Sequence, residues 1–190
     1  MAGVGLVRHR LRLGRYRAIG ARTGLAVVPK IINSSELRGR FRNRELVMAI
    51  CARRRQTFRK RWTRVTVDVA NPEHIGLHIW RQDLVDNMIM SLGGTDVLVG
   101  HAAFDAHFVI KSRDEHAVAK MFQNAELRRL LVSADIDSAE LLSSKLHAYY
   151  AREERNPEHA HLLFTAVTTL ADAIDALEAN YIPEIIRVDR

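Results

Sequence analysis

Residues 37–44 read LRGRFRNR, and the alternation in them decides the fold class. Leu37, Gly39 and Phe41 fall on one parity, Arg38, Arg40, Arg42 and Arg44 on the other. That is the two-residue period of a strand with one face on a core and one toward water. The period returns twice downstream. In 63–69, Thr63, Val65, Val67 and Val69 alternate with Arg64, Thr66 and Asp68. In 75–80, Ile75, Leu77 and Ile79 alternate with Gly76, His78 and Trp80. The run LVMAICA at 46–52 is continuously apolar and suits a more buried strand, so the segment reads as a meander with Asn43 near one turn and 56–60 at another. Asn71-Pro72 marks the turn before the third alternating run.

Working outward, residues 14–23 read as a short helix. Leu25 to Val28 read as a short first strand closed by Pro29. Val85, Met88, Ile89 and Leu92 have helical spacing ended by Gly93-Gly94, and strands are expected at 97–99 and 104–110. Ser112 and Glu115 form a capping-box pattern opening a helix to about 132, with Val118, Met121, Phe122, Ala125 and Leu130 as its stripe. Residues 136–151 fit both a strand (Leu146, Ala148, Tyr150) and a helix (Leu141, Leu142, Leu146); a hairpin turning at Ser143-Ser144 is preferred. Asn156 is an N-cap with Pro157 at the first helical position of a helix whose stripe runs from Leu163 to Leu177. Pro183 closes it. The expectation is an α+β fold, a largely antiparallel sheet with two long helices, at about 114–132 and 157–180, packed on one face. A single domain spans 23–182, flanked by a basic arm at 1–22 and a tail at 183–190.

The chain of 190 residues is 47% apolar and 27% charged, which supports one well-packed core. Cys51 is the one cysteine, so neither an intrachain disulfide nor a cysteine zinc cage can form, as in a reducing, cytoplasmic compartment. The apolar stretch before Arg8 is too short for a signal-peptide core, and no apolar run nears the ~18 residues of a membrane span. The arginine-rich, acid-free leader also resembles an organellar transit peptide, which stays open as an alternative. Charge is divided along the chain. Residues 1–67 hold 18 Lys and Arg against Glu36 and Glu45, and the remainder holds 11 against 20, within an overall charge of +7.

The stretch VGHAAFDAHFVI at 99–110, followed by a capped helix closing in LRRLL at 127–131, resembles an uncharacterised bacterial protein family with a G-x-x-x-F-D-x-x-F-x-[VI] pattern. The resemblance extends over about 20–180. It implies a mixed α/β fold and assigns no activity and no catalytic residue. Some relatives carry membrane spans.

The sharpest candidate site is the outward side of the first strands, where the alternation puts Arg38, Arg40, Arg42, Arg44 and Arg64 with Trp62, His78 and Trp80. Arginines can hold phosphates and tryptophans can stack bases. Arg53, Arg54, Arg55, Arg59, Lys60 and Arg61 flank a hairpin tip able to meet a nucleic-acid backbone or an anionic lipid surface, or to protect a sheet edge. The divided charge also allows the basic part of one copy to meet the acidic part of another, giving a homo-oligomer. His101, Asp105 and His107 invite a metal reading but lack a fourth ligand. No catalytic motif, cofactor fingerprint or metal set can be assembled from spacing: there is no G-x-S-x-G and no P-loop. The expected function is a non-catalytic cytoplasmic binding or assembly module acting through the basic first third. Its partner is an acidic protein surface or a second copy. Nucleic-acid or anionic-membrane binding is the alternative, and an enzyme ranks third.

Overall fold

Phe41 and Arg44 face each other across a two-residue turn in which Arg42 and Asn43 both have positive φ, 49° and 66°. Such turns match the right-handed twist of the strands they join, and asparagine tolerates the left-handed region well. In this computed structural model the described residues are 2–29, 35–55, 58–71, 75–82 and 95–178. Among them are nine strands: β1 (Ala26–Pro29), β2 (Ser35–Phe41), β3 (Arg44–Arg55), β4 (Phe58–Asp68), β5 (Leu77–Arg81), β6 (Thr95–Asp96), β7 (Phe108–Ser112), β8 (Ser138–Leu142) and β9 (Lys145–Tyr150). They form one sheet in the order β1-β2-β3-β4-β9-β8-β5-β7-β6, with every pair antiparallel. The α+β reading holds. Pro29 sits on the edge strand β1, where a missing donor costs least.

One parity of every long strand is apolar and buried. Leu37, Phe41, Leu46, Met48, Val65, Val67, Leu146, Ala148, Leu77, Ile79, Phe108 and Ile110 join Tyr16 and Ile19 of α1 (Ala2–Thr23) in a single core cluster. Leu163, Phe164, Val167, Leu170 and Ile174 of α5 (Pro157–Glu178) complete it. Phe164 meets Phe41 edge-on at 5.7 Å. Asn156 caps α5 as expected, its Oδ1 accepting the N–H groups of Glu158 and His159. The hairpin at Ser143-Ser144 forms as expected, with Ser143 at φ 55°.

Several boundaries differ from the sequence reading. The segment read as a basic arm with a helix only near 14–23 is helical from Ala2, and its C-terminal half is docked on α5, β1 and β2. Acid-free composition disguised it, because arginines on a helix surface carry no periodic apolar signal. The helix expected over 114–132 is two: α3 (Glu115–Met121) and α4 (Ala125–Ser133), split where Asn124 caps α4. Residues 104–107 are not strand, for Phe104 and Asp105 end the short helix α2 (Ala102–Asp105) and β7 starts at Phe108. Strand β6 precedes the expected 97–99. The helix read at 85–92 lies outside the described residues.

The cap of α3 is Asp114, whose carboxylate accepts the Ala117 N–H at 2.9 Å, not Ser112. Ser112 ends β7, and its hydroxyl accepts the Asp114 N–H at 3.1 Å. Asp114→Ala is therefore expected to cost about 1 kcal/mol, read as a lowered urea midpoint. An unchanged midpoint would mean the helix does not rely on that cap. Gly20 is a second sensitive point. A Cβ there would lie 2.5 Å from the Leu25 carbonyl oxygen, where the chain reverses through Gly24 into β1. Because backbone and not a flexible side chain is in the way, Gly20→Ala should force α1 off β1 and destabilise by about 1–3 kcal/mol. A stability equal to wild type in chemical denaturation would show that this close approach is not maintained.

Candidate functional site

The arginines of the first third divide into two sets, and the turn at 42–43 divides them. Phe41 points into the core, so its partner Arg44 must point there too, and the outward row Arg38, Arg40 is not continued by Arg42 and Arg44. This corrects the expected four-arginine face. Arg44 is clamped under α5: Nε to Asp172 Oδ1 at 2.6 Å, one amino group to Asp175 Oδ2 at 2.7 Å, the other to the Asp68 carbonyl at 3.1 Å. Its side chain is 17% exposed. Burial works against its charge, but the two carboxylates outweigh that and raise its pKa. Arg42 donates to Thr169 Oγ1 at 3.2 Å. Arg38 and Arg40 remain at the surface, with Arg40 70% exposed and only 3.9 Å from Glu45.

Trp62, Arg64, His78 and Trp80 do lie on the parity opposite the core cluster, but they are not a stacking platform. Trp62 is 4% and Trp80 8% exposed. Across the strands Arg64 opposes Tyr149, Trp80 opposes Ser138 and Val109, and His78 opposes Glu140 and Lys111. Tyr149 donates to Glu140 at 2.5 Å, and Thr66 and His147 are 2.9 Å apart. Burial lowers the His78 pKa against the opposing pull of Glu140. The expected base-binding role for Trp62 and Trp80 therefore fails: the rings are enclosed.

The hairpin of β3 and β4 is different. Its pairing with β2 ends at Ala49, and its pairing with β9 begins at Thr63. Beyond those points, among the described residues, 50–55 and 58–62 pair only with each other. This two-stranded ribbon reaches about 20 Å past the described parts of its neighbours at ~3.3 Å per residue. The register sets Arg53 opposite Lys60 and Arg54 opposite Arg59, with Arg55 and Arg61 beside them. Like charges directly opposite weaken a strand pair, so this register works against the ribbon's own pairing.

The ribbon's root is tied to the segment before α5. Thr63 donates through its N–H and Oγ1 to the Arg152 carbonyl, and the Glu154 N–H donates to Thr63 Oγ1 at 2.7 Å. Arg61 lies 3.4 Å from Glu153. Arg44 is held near the C-terminal end of α5, so the ribbon leaves the sheet at the end where α5 begins. Arg22, at the end of α1, forms a two-pronged bond with Glu158 at that same end. Among the described residues, Arg22, Arg40, Arg44 and Arg61 of the basic third are thus paired with acids of this same chain.

Glu154 and His159 form a close pair through Oε2 and Nδ1, and Glu154 also accepts the N–H groups of Arg155 and Asn156. Burial opposes the Glu154 charge, but these bonds win and lower its pKa below 4.5. The bond to Glu154 raises the His159 pKa above 6.5. The raised histidine stabilises fully below about 6.5 and loses that contribution as pH rises through its folded pKa. The depressed glutamate stabilises above about 4.5 and loses it as pH falls through its folded pKa. Stability from this pair should peak between those two values. His159→Gln should flatten the alkaline limb of thermal midpoint against pH, and an unchanged profile would exclude the pair as its source.

His101, Asp105 and His107 do not converge on a metal. Asp105 instead accepts the Val99 and His101 N–H groups, each at 3.0 Å, and His101 Nδ1 caps α2. Phe104, on α2, and Phe108, at the start of β7, are both core residues. Among the described residues no cluster of three or more His, Cys, Asp or Glu could hold a metal ion. Residues 157–177 of α5 are long and apolar enough to cross a membrane, but half of that window is buried inside the protein. No protein family, curated protein or solved structure matches the chain in comparison.

Sequence reasoning missed the Arg44 clamp and the Glu154–His159 pair. The first was recoverable by counting parity through a two-residue turn. The second joins groups five residues apart across a helix start, and no spacing rule signals it.

Proposed function

We propose that the protein is a non-catalytic binding module whose β3–β4 ribbon grips the phosphate backbone of duplex nucleic acid. The observation that carries this reading is the register of the ribbon. It opposes basic residues to basic residues over a stretch that no other described strand pairs. A two-stranded ribbon fits the major groove of B-form DNA, about 12 Å wide, and arginine is suited to phosphate. In this reading α1 and α5 are the two long helices backing the sheet on one face, and the ribbon projects past them. Arg38 and Arg40 add surface charge on the adjoining strand. The molecule works in the cytoplasm, in keeping with its single cysteine.

The test is fluorescence anisotropy of nuclease-treated protein with a 20-base-pair duplex (about two helical turns), beside flotation with anionic vesicles and light scattering of the protein alone. Saturable duplex binding supports the proposal. Vesicle binding without duplex binding, or salt-sensitive oligomers without either, would replace it with the membrane or self-association reading.

A further inference from the structure

A second site lies away from the ribbon, where α2 and the start of β7 meet α4. It is a cleft of about 310 Å³ whose lining includes Phe104, Val132, His101, His107, Arg128 and Ser133. We infer that this cleft binds a small organic carboxylate with a compact apolar body, the carboxylate on Arg128 and His101 and the body against Phe104 and Val132.

The walls are mostly apolar, and Val132 on α4 presents 41% of its surface there. The polar groups are donors. Nδ1 of His101 accepts the Phe104 N–H, so its ring proton sits on Nε2, free to donate. His107 also lines the cleft, but its Nε2 is closed off from solvent, so the ring serves as wall and His101 and Arg128 supply the donors. Arg128 gives one amino group to the Phe122 carbonyl and is bridged to no carboxylate among the described residues.

The nearby acids are committed elsewhere. Asp105 accepts two backbone amides, and Glu126 forms a two-pronged pair with Arg129 at 2.6 and 2.7 Å. The cleft therefore keeps an uncompensated guanidinium at the rim of an apolar wall. A volume near 300 Å³ falls at the small end of ligand pockets, which selects a compact body over a long chain.

The test is a 1H–15N NMR titration of the full chain with 4-phenylbutyrate, with 4-phenylbutanol as the uncharged comparison. The expected result is a saturable shift of the His107, Arg128 and Val132 amides, with the alcohol at least about 10-fold weaker, since a charge-assisted bond is lost. Val132→Asp, at an exposed position that leaves the fold intact by circular dichroism, should abolish the shift through repulsion of the carboxylate. No saturation at about 20 mM ligand, equal binding of acid and alcohol, or binding unaffected by Val132→Asp would each overturn the inference.

Discussion

Replacing Arg53, Arg54, Arg59 and Lys60 together by serine should weaken duplex binding by about 30-fold or more at ~0.1 M salt, because each lost phosphate contact also forfeits counterion release. The fold should be unharmed. Among the described residues the ribbon is paired only to itself, and the register opposes Arg53 to Lys60 and Arg54 to Arg59, so removing the charges relieves repulsion while leaving the backbone ladder in place. The thermal midpoint should stay the same or rise. The same change at Arg38 and Arg40, on β2, should weaken binding far less. If the β2 pair proves the stronger determinant, the ribbon is not the site.

The second large effect concerns stability alone. Arg44→Met should cost about 2–3 kcal/mol, the range for hydrogen bonds to charged groups lost from a partly buried site. It strands Asp172 and Asp175 at the end of α5 and frees the Asp68 carbonyl. In a chain of this size the loss should appear as a fall in thermal midpoint of about 8 °C. Arg22, whose bond to Glu158 lies in water, should be replaceable at little cost, since exposed pairs are screened and lose side-chain entropy. Equal effects at Arg22 and Arg44 would contradict the view that burial separates them. The contrast also shows that one arginine of the row at 38–44 is internal. A charge reversal including Arg44 would damage the fold, whereas reversal of Arg38 and Arg40 would not.

The strands were the legible part of the sequence. Two-residue alternation at 37–41, 63–69 and 75–80 reports directly on which side faces the core, and the apolar residues it selects there, Leu37, Phe41, Val65, Val67, Val69, Ile75, Leu77 and Ile79, are buried. The cap at Asn156 and the turn at Ser143-Ser144 were equally readable, because each rests on local chemistry. What could not be read was whatever depends on long-range neighbours. A strand shows its parity but not what lies above it, so Trp62 and Trp80 read as an exposed aromatic face and are in fact enclosed. Ser112 and Asp114 are both competent caps, and only the course of β7 decides that Asp114 is used. The ribbon sits between these cases. Its charge was plain in Arg53-Arg54-Arg55 and Arg59-Lys60-Arg61, but its extension beyond β2 and β9 follows from where those strands stop.

The most direct test of the ribbon account is the salt dependence of duplex affinity for the wild-type protein and the four-serine variant. Five ribbon cations engaging phosphates, with Arg61 held by Glu153, predict a slope of log K against log salt of about −4.5, and the variant, with Arg55 left, about −1. A wild-type slope near zero, or identical slopes for the two proteins, would contradict it.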